Sequence, residues 1–141
     1  MKEILFICTG NYYRSRFAEA LFNFEAKCLE LPWRAFSRGL AIHMAEGDIS
    51  YHTELALERR GIALCHTGRT RVALCAEDFA RASRIIALDE REHRPMVQEQ
   101  FPELIDRVEF WTCQDMPWDN PEHCLPSIEK RVSNLLSELE S

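Results

Sequence analysis

The chain has 141 residues, 46% of them hydrophobic and 28% charged, with a net charge of −6. That is enough apolar chain for one core without disulfide or metal staples, and an acidic balance argues against nucleic acid or an anionic membrane surface as a partner. Six cysteines, at 8, 28, 65, 75, 113 and 124, form no CxxC pair and no regular framework, so reduced thiols and a cytoplasmic location are expected. The start of the chain reads as a strand and not as a secretion signal, and no apolar run approaches a membrane span. Cys65-His66 and His123-Cys124 lack metal-ligand spacing, so neither a metal nor a cofactor is expected.

In chain order, residues 4–8 read as a buried strand, apolar throughout. Ala18, Leu21 and Phe22 recur at helical spacing and predict a helix over 15–28. Pro32 precedes a second strand over 33–37, closed by Arg38-Gly39. A helix is predicted over 50–60 with Gly61 at its C′ position, and a short one over 77–82. Residues 84–88 form a third buried strand that closes on Asp89-Glu90, and a helix lies within 90–100, its start blurred by Pro95. A fourth strand is read over 108–113. The last helix, about 126–139, carries the stripe Ile128, Val132, Leu135, Leu136 and Leu139. Strands alternating with helices predict a single α/β domain over 1–141, a three-layer sandwich in which a four-stranded parallel sheet has helices on both faces. Ligands of such sheets gather beyond the carboxyl ends of the strands.

That position is taken by Cys8-Thr9-Gly10-Asn11-Tyr12-Tyr13-Arg14-Ser15. Five residues between Cys8 and Arg14 allow a short loop to curl so that thiol, guanidinium and intervening N–H groups converge on one point. Backbone N–H groups and a helix N-terminus favour an anion there, and a guanidinium fork can grip two oxygens of a phosphate. The same field would stabilise a thiolate at Cys8 and make it a nucleophile at neutral pH. Gly10 and Asn11 are residue types that tolerate positive φ. Ser15 can cap the following helix or donate its hydroxyl to the thiolate.

These residues resemble the low-molecular-weight protein tyrosine phosphatases of the arsenate-reductase-like superfamily. The family's loop reads Cys-x-Gly-Asn-x-Cys-Arg-Ser, matched by Cys8, Gly10, Asn11, Arg14 and Ser15. Phe36-Ser37-Arg38-Gly39 is similar to its Ser-Ala-Gly segment, and Ile85-Ile86-Ala87-Leu88-Asp89-Glu90 to its Ile-x-x-Met-Asp segment. Two departures stand out: Tyr13 replaces the family's second loop cysteine, and Pro117 comes one place later than in the family's Asp-Pro.

The resemblance implies phosphomonoester hydrolysis through a phosphocysteine on Cys8. Phosphate would be held by Thr9, Gly10, Asn11, Tyr12, Tyr13, Arg14 and Ser15. Asp115, directly after the fourth strand, would be the general acid, with Asp119 as the alternative. Tyr12 and Trp118 are the candidate pocket walls and His43 a lesser one, while Asp89 would cap the helix after the third strand. The implied substrate is a phosphotyrosine protein or a small aryl phosphate, with inorganic phosphate as product. Two other readings stay open: an arsenate reductase that uses the same loop with an external thiol, and a catalytically weak phosphotyrosine-binding regulator.

Overall fold

The computed structural model describes residues 1–140. Four strands, β1 (Lys2–Cys8), β2 (Trp33–Gly39), β3 (Arg84–Ala87) and β4 (Val108–Phe110), form one sheet in the order β2-β1-β3-β4. All pairings are parallel, and the register sets Cys8 beside Gly39 and Ile7 beside Ala87. Among the described residues five α-helices surround it: α1 (Arg14–Cys28), α2 (Tyr51–Arg59), α3 (Ala76–Arg81), α4 (Glu90–Gln100) and α5 (Pro121–Glu140). No helix among the described residues is long and apolar enough to cross a membrane.

The central strand β1 divides the core by its alternation. Ile4, Phe6 and Cys8 join Phe17, Leu21 and Phe22 of α1 and Ile128, Val132 and Leu136 of α5 on one face. Leu5 and Ile7 face the other way, toward Phe79 of α3 and Val97 of α4. The ring of Phe6 meets Phe22 edge-on at 6.2 Å and Trp111 at 5.7 Å. Both flanking layers are therefore anchored on one buried strand, whose last residue is Cys8.

Two predicted boundaries move. Regular pairing of β4 stops at Phe110, not at 113, because β3 has by then turned into α4. Beyond it the two segments keep an isolated bridge at Asp89 and Thr112, with Trp111 N donating to Ala87 O (2.9 Å), Glu90 N to Trp111 O (2.8 Å) and Cys113 N to Leu88 O (2.8 Å). The last helix begins at Pro121, five residues before the predicted start. Asn120 caps it, its Oδ1 accepting from His123 N at 3.0 Å, and Pro121 fills the first helical position, where a missing N–H costs nothing. Pro126 then sits on the exposed side of the helix, where solvent can serve the carbonyl it leaves free.

Candidate active site

The loop from Cys8 to Arg14 is built so that its donors remain unspent. The carbonyls of Cys8, Thr9 and Tyr12 are taken up by Leu40 N, Ala41 N and Ser50 N at 2.8–3.0 Å. Among the described residues, the N–H groups of residues 9–13 donate to no backbone or side-chain acceptor. They sit at the N-terminal, electropositive end of the 15-residue helix α1. Carbonyls turned outward with amides left over is the arrangement of an anion nest.

Asn11 sets the loop's shape. Its φ of +50° lies in the left-handed region, as its residue type allows, whereas Gly10 does not take a positive φ. At Gly10 the constraint is space, because a Cβ there would stand 3.1 Å from that of Ala45 and press on it. The Asn11 side chain accepts from Val72 N at 2.8 Å, and its Nδ2 donates to Ser15 Oγ (3.0 Å) and Ser37 Oγ (2.9 Å). Gly39 completes the fit: a Cβ on it would lie 2.9 Å from both Asn11 N and Thr9 O.

Behind the loop, Ser37 and Thr67 both donate to Glu19 Oε1, at 2.6 and 2.7 Å, and Arg16 Nε donates to Thr67 at 2.7 Å. Burial pushes the Glu19 carboxyl above its usual range despite these donors. Glu19 was not among the predicted site residues, although a glutamate beside Ala18, Leu21 and Phe22 on an apolar helix face is a signal of a buried polar partner.

Cys8 is 2% exposed, and its Sγ lies 2.9 Å from Ser15 Oγ. Arg14 is 1% exposed. Its Nη1 donates to Cys113 O at 2.9 Å and its Nη2 to Glu92 Oε2 at 2.8 Å, with Asp115 Oδ2 farther off at 3.4 Å. Its Nε has no partner, so one buried guanidinium N–H is left for a ligand. Burial alone would lower the Arg14 pKa, but the negative charges at Cys8, Glu92 and Asp115 outweigh it and hold the group above its ordinary value.

Glu92 was not foreseen. Asp89 caps α4 as expected, accepting from Glu92 N at 3.3 Å. The Glu92 carboxylate then turns away from the helix end to Arg14, to Thr9 Oγ1 and to His93 Nε2, the last at 3.3 Å. His93 is fully buried, and its Nδ1 accepts from Asp89 N at 3.0 Å. The neutral ring therefore carries its proton on Nε2, facing Thr9 Oγ1 at 3.2 Å and Glu92 Oε2 at 3.3 Å. Burial would raise the Glu92 pKa, yet the bonds from His93 and Arg14 bring it well below the usual carboxylate range. Burial lowers that of His93.

The two candidate acids differ in their engagements. Asp115 is 39% exposed, accepts from Met116 N at 2.8 Å and reaches Arg14. Asp119 is tied to His123 Nδ1 at 2.8 Å and to Asn120 N at 2.9 Å, within the cap of α5. Trp118 stands 76% exposed between them. Tyr12 lies half-buried over Gly47. Tyr13 turns inward, leaving only its backbone to an anion. Its ring stacks edge-on with His52, and its hydroxyl lies against Cys124, where burial pushes the tyrosine upward and the thiol to about 12.

A parallel α/β sandwich whose first strand–helix loop carries a thiol, a buried arginine and spare amides has the architecture of a phosphatase-type α/β fold with a candidate oxyanion site. The family model described as low molecular weight phosphotyrosine protein phosphatase matches residues 3–141, and the chain belongs to this family. A human low molecular weight phosphotyrosine protein phosphatase is 30% identical over 97 residues, 67% of this chain and 60% of the relative, so the chain spans about three fifths of that protein's length. A protein-arginine-phosphatase of Geobacillus stearothermophilus is 34% identical over 107 residues, 75% of this chain and 66% of the relative. Among solved structures, the YwlE arginine phosphatase from Geobacillus stearothermophilus superposes with a TM-score of 0.77 at 26% identity, covering 99% of this chain and 94% of that one.

Proposed function

We propose that the protein is a cysteine-dependent phosphatase that hydrolyses phosphate monoesters, with phosphotyrosine in a protein or a small aryl phosphate as its substrate. The observation that carries this reading is the buried, unpartnered Nε of Arg14 beside Cys8 and a loop whose amides are unspent. Membership of the phosphatase family supports it.

In this reading the Cys8 thiolate attacks phosphorus in line with the leaving oxygen, and the S–P bond forms as the P–O bond breaks. Asp115 gives its proton to that oxygen. Water then attacks the phosphocysteine, Asp115 takes a proton from it, and phosphate leaves as the sulfur recovers its electron pair. Phosphoryl transfer has a loose transition state, so the loop amides and Arg14 contribute mainly by positioning and by matching charge on the equatorial oxygens.

A second reading, phosphoarginine as substrate, is favoured by the 34% identical arginine phosphatase and by the carboxylates of Glu92 and Asp115 beside the pocket, which would attract a guanidinium leaving group. Phosphate release from an aryl phosphate, a phosphotyrosine peptide and a phosphoarginine peptide, each with the intact protein and with Cys8→Ser, tests both. Release from the first two that vanishes in the variant is expected. Release from phosphoarginine alone transfers the assignment to the second reading, and release from none overturns both.

A further inference from the structure

Glu92 takes no bond-making or proton-transfer step in the hydrolysis just described, yet one of its oxygens joins the arginine to the loop. Its Oε2 accepts from Arg14 Nη2 at 2.8 Å and from Thr9 Oγ1, and His93 Nε2, bonded to Thr9 Oγ1 at 3.2 Å, stands 3.3 Å from it. These partners come from α1, from the loop and from α4. The backbone assists, because Asp89 fixes both ends of the arrangement: its side chain caps at Glu92 N, and its own N–H holds His93 Nδ1. The His93 proton is thereby committed to Nε2, on the side of Thr9 and Glu92.

Asp115 meets the same guanidinium nitrogen only at 3.4 Å and is more exposed, so it is free to leave or to take a proton. Glu92 can do neither without breaking its bonds to Arg14 and Thr9, and it is not a proton donor at neutral pH. Its effect must come from a fixed charge in a fixed place. That place is beside the cation on which the phosphate depends. With Nη1 on Cys113 O and Nη2 on Glu92, the guanidinium plane is held at both ends while its Nε keeps no partner.

We propose that Glu92 is a positioning residue, the resident counter-ion of Arg14, which keeps the guanidinium oriented toward the loop and at the same time limits how tightly the pocket holds a phosphate dianion. The inference rests on the phosphatase reading. An arginine in a ring of amides, with no negative neighbour, would bind phosphate strongly and release product slowly. A carboxylate within hydrogen-bond distance of that arginine repels the incoming dianion while preserving the geometry. Bracing and braking are separable, because an amide can brace but carries no charge.

The test compares the wild-type protein with Glu92→Gln and Glu92→Ala, measuring the dissociation constant of inorganic phosphate by titration calorimetry alongside kcat and KM for an aryl phosphate. Glu92→Gln keeps an acceptor oxygen for Arg14 and loses the charge. It is expected to bind phosphate about tenfold more tightly and to show a lower KM and a lower kcat. Glu92→Ala loses the brace as well and is expected to bind phosphate more weakly than Glu92→Gln. A merely structural role would weaken phosphate binding in both variants. Phosphate binding by Glu92→Gln that is no tighter than in the wild type overturns the inference while leaving the phosphatase reading intact. A wild-type protein that binds no phosphate overturns both.

Discussion

The hydroxyl of Ser15 stands 2.9 Å from the sulfur of Cys8, within reach to donate to a thiolate there. Asn11 holds it in place, its Nδ2 donating to Ser15 Oγ at 3.0 Å. A thiolate has no hydrogen to give, so once Cys8 ionises the hydroxyl is the donor of the pair. Asn11 is itself oriented by Val72 N on its Oδ1, so a backbone N–H 61 residues away helps set the nucleophile's neighbour.

Ser15→Ala should accordingly slow turnover of an aryl phosphate by about 10- to 100-fold, the worth of one hydrogen bond to a charged group. KM should change far less, because the amides and Arg14 remain. Steady-state kinetics check this. A loss confined to KM would mean that Ser15 serves binding and not the thiolate.

The acid is separated from its alternative by leaving-group dependence. Asp115 is held by one backbone bond and a long contact to Arg14, whereas Asp119 is committed to His123 and the cap of α5. Asp115→Asn should lose about 100-fold or more on a poor leaving group and little on a good one. Asp119→Asn should affect both alike and lower the melting temperature, since it removes part of a helix cap. The reverse pattern would move the role to Asp119.

What the sequence made legible here was local. The apolar run of β1, the positive φ of Asn11 and the cap at Asp89 follow from residue type and immediate neighbours, and all three are present in the fold. The start of α5 was missed because Asn120-Pro121 stood in a stretch already read as the acid's loop, although Asn before Pro is itself a helix-start signal. Glu92 was missed for a different reason. In Glu90-Arg91-Glu92-His93-Arg94 it looks like one charge on a solvated helix face, and its partner Arg14 lies 78 residues away. No periodicity or propensity carries information about such a pair. Glu19 and Ser37, 18 residues apart and joined beneath the loop, are a second case.

Acid stability should depend on His93. The ring is buried and neutral, and burial has pushed its pKa below the ordinary 6.5. The unfolded chain therefore takes up a proton that the folded one refuses, and stability falls as pH drops below 6.5. The groups around the ring are Glu92, Thr9, Arg14 and Asp89. Glu92 adds a second loss of the same sign, beginning below its ordinary 4.5, because its carboxylate is favoured by folding. Glu19 works against both, since its carboxyl is pushed up by burial and gains from protonation. Melting temperatures between about pH 7 and pH 5 should fall in the wild type and fall less in His93→Gln, which has no proton to refuse. Parallel curves would place the sensitivity elsewhere.

Oxidation offers the last prediction. A sulfenic acid on Cys8 is recoverable if a neighbouring thiol condenses with it, and irreversible acids follow if none does. The adjacent position in the loop is Tyr13, whose side chain is buried against His52 and Cys124. Cys113 and Cys124 are both buried, and burial raises both thiols, that of Cys124 to about 12, so neither offers much thiolate at neutral pH. Cys28, Cys65 and Cys75 are exposed outside the loop. Brief peroxide treatment should therefore cost activity that dithiothreitol does not restore, with sulfinic or sulfonic acid on the Cys8 peptide by mass spectrometry. Added phosphate should protect, since it occupies the pocket the oxidant must enter. Full recovery together with a disulfide linking Cys8 to Cys113 would show that the strand end after β4 moves far enough to bring its thiol to the loop.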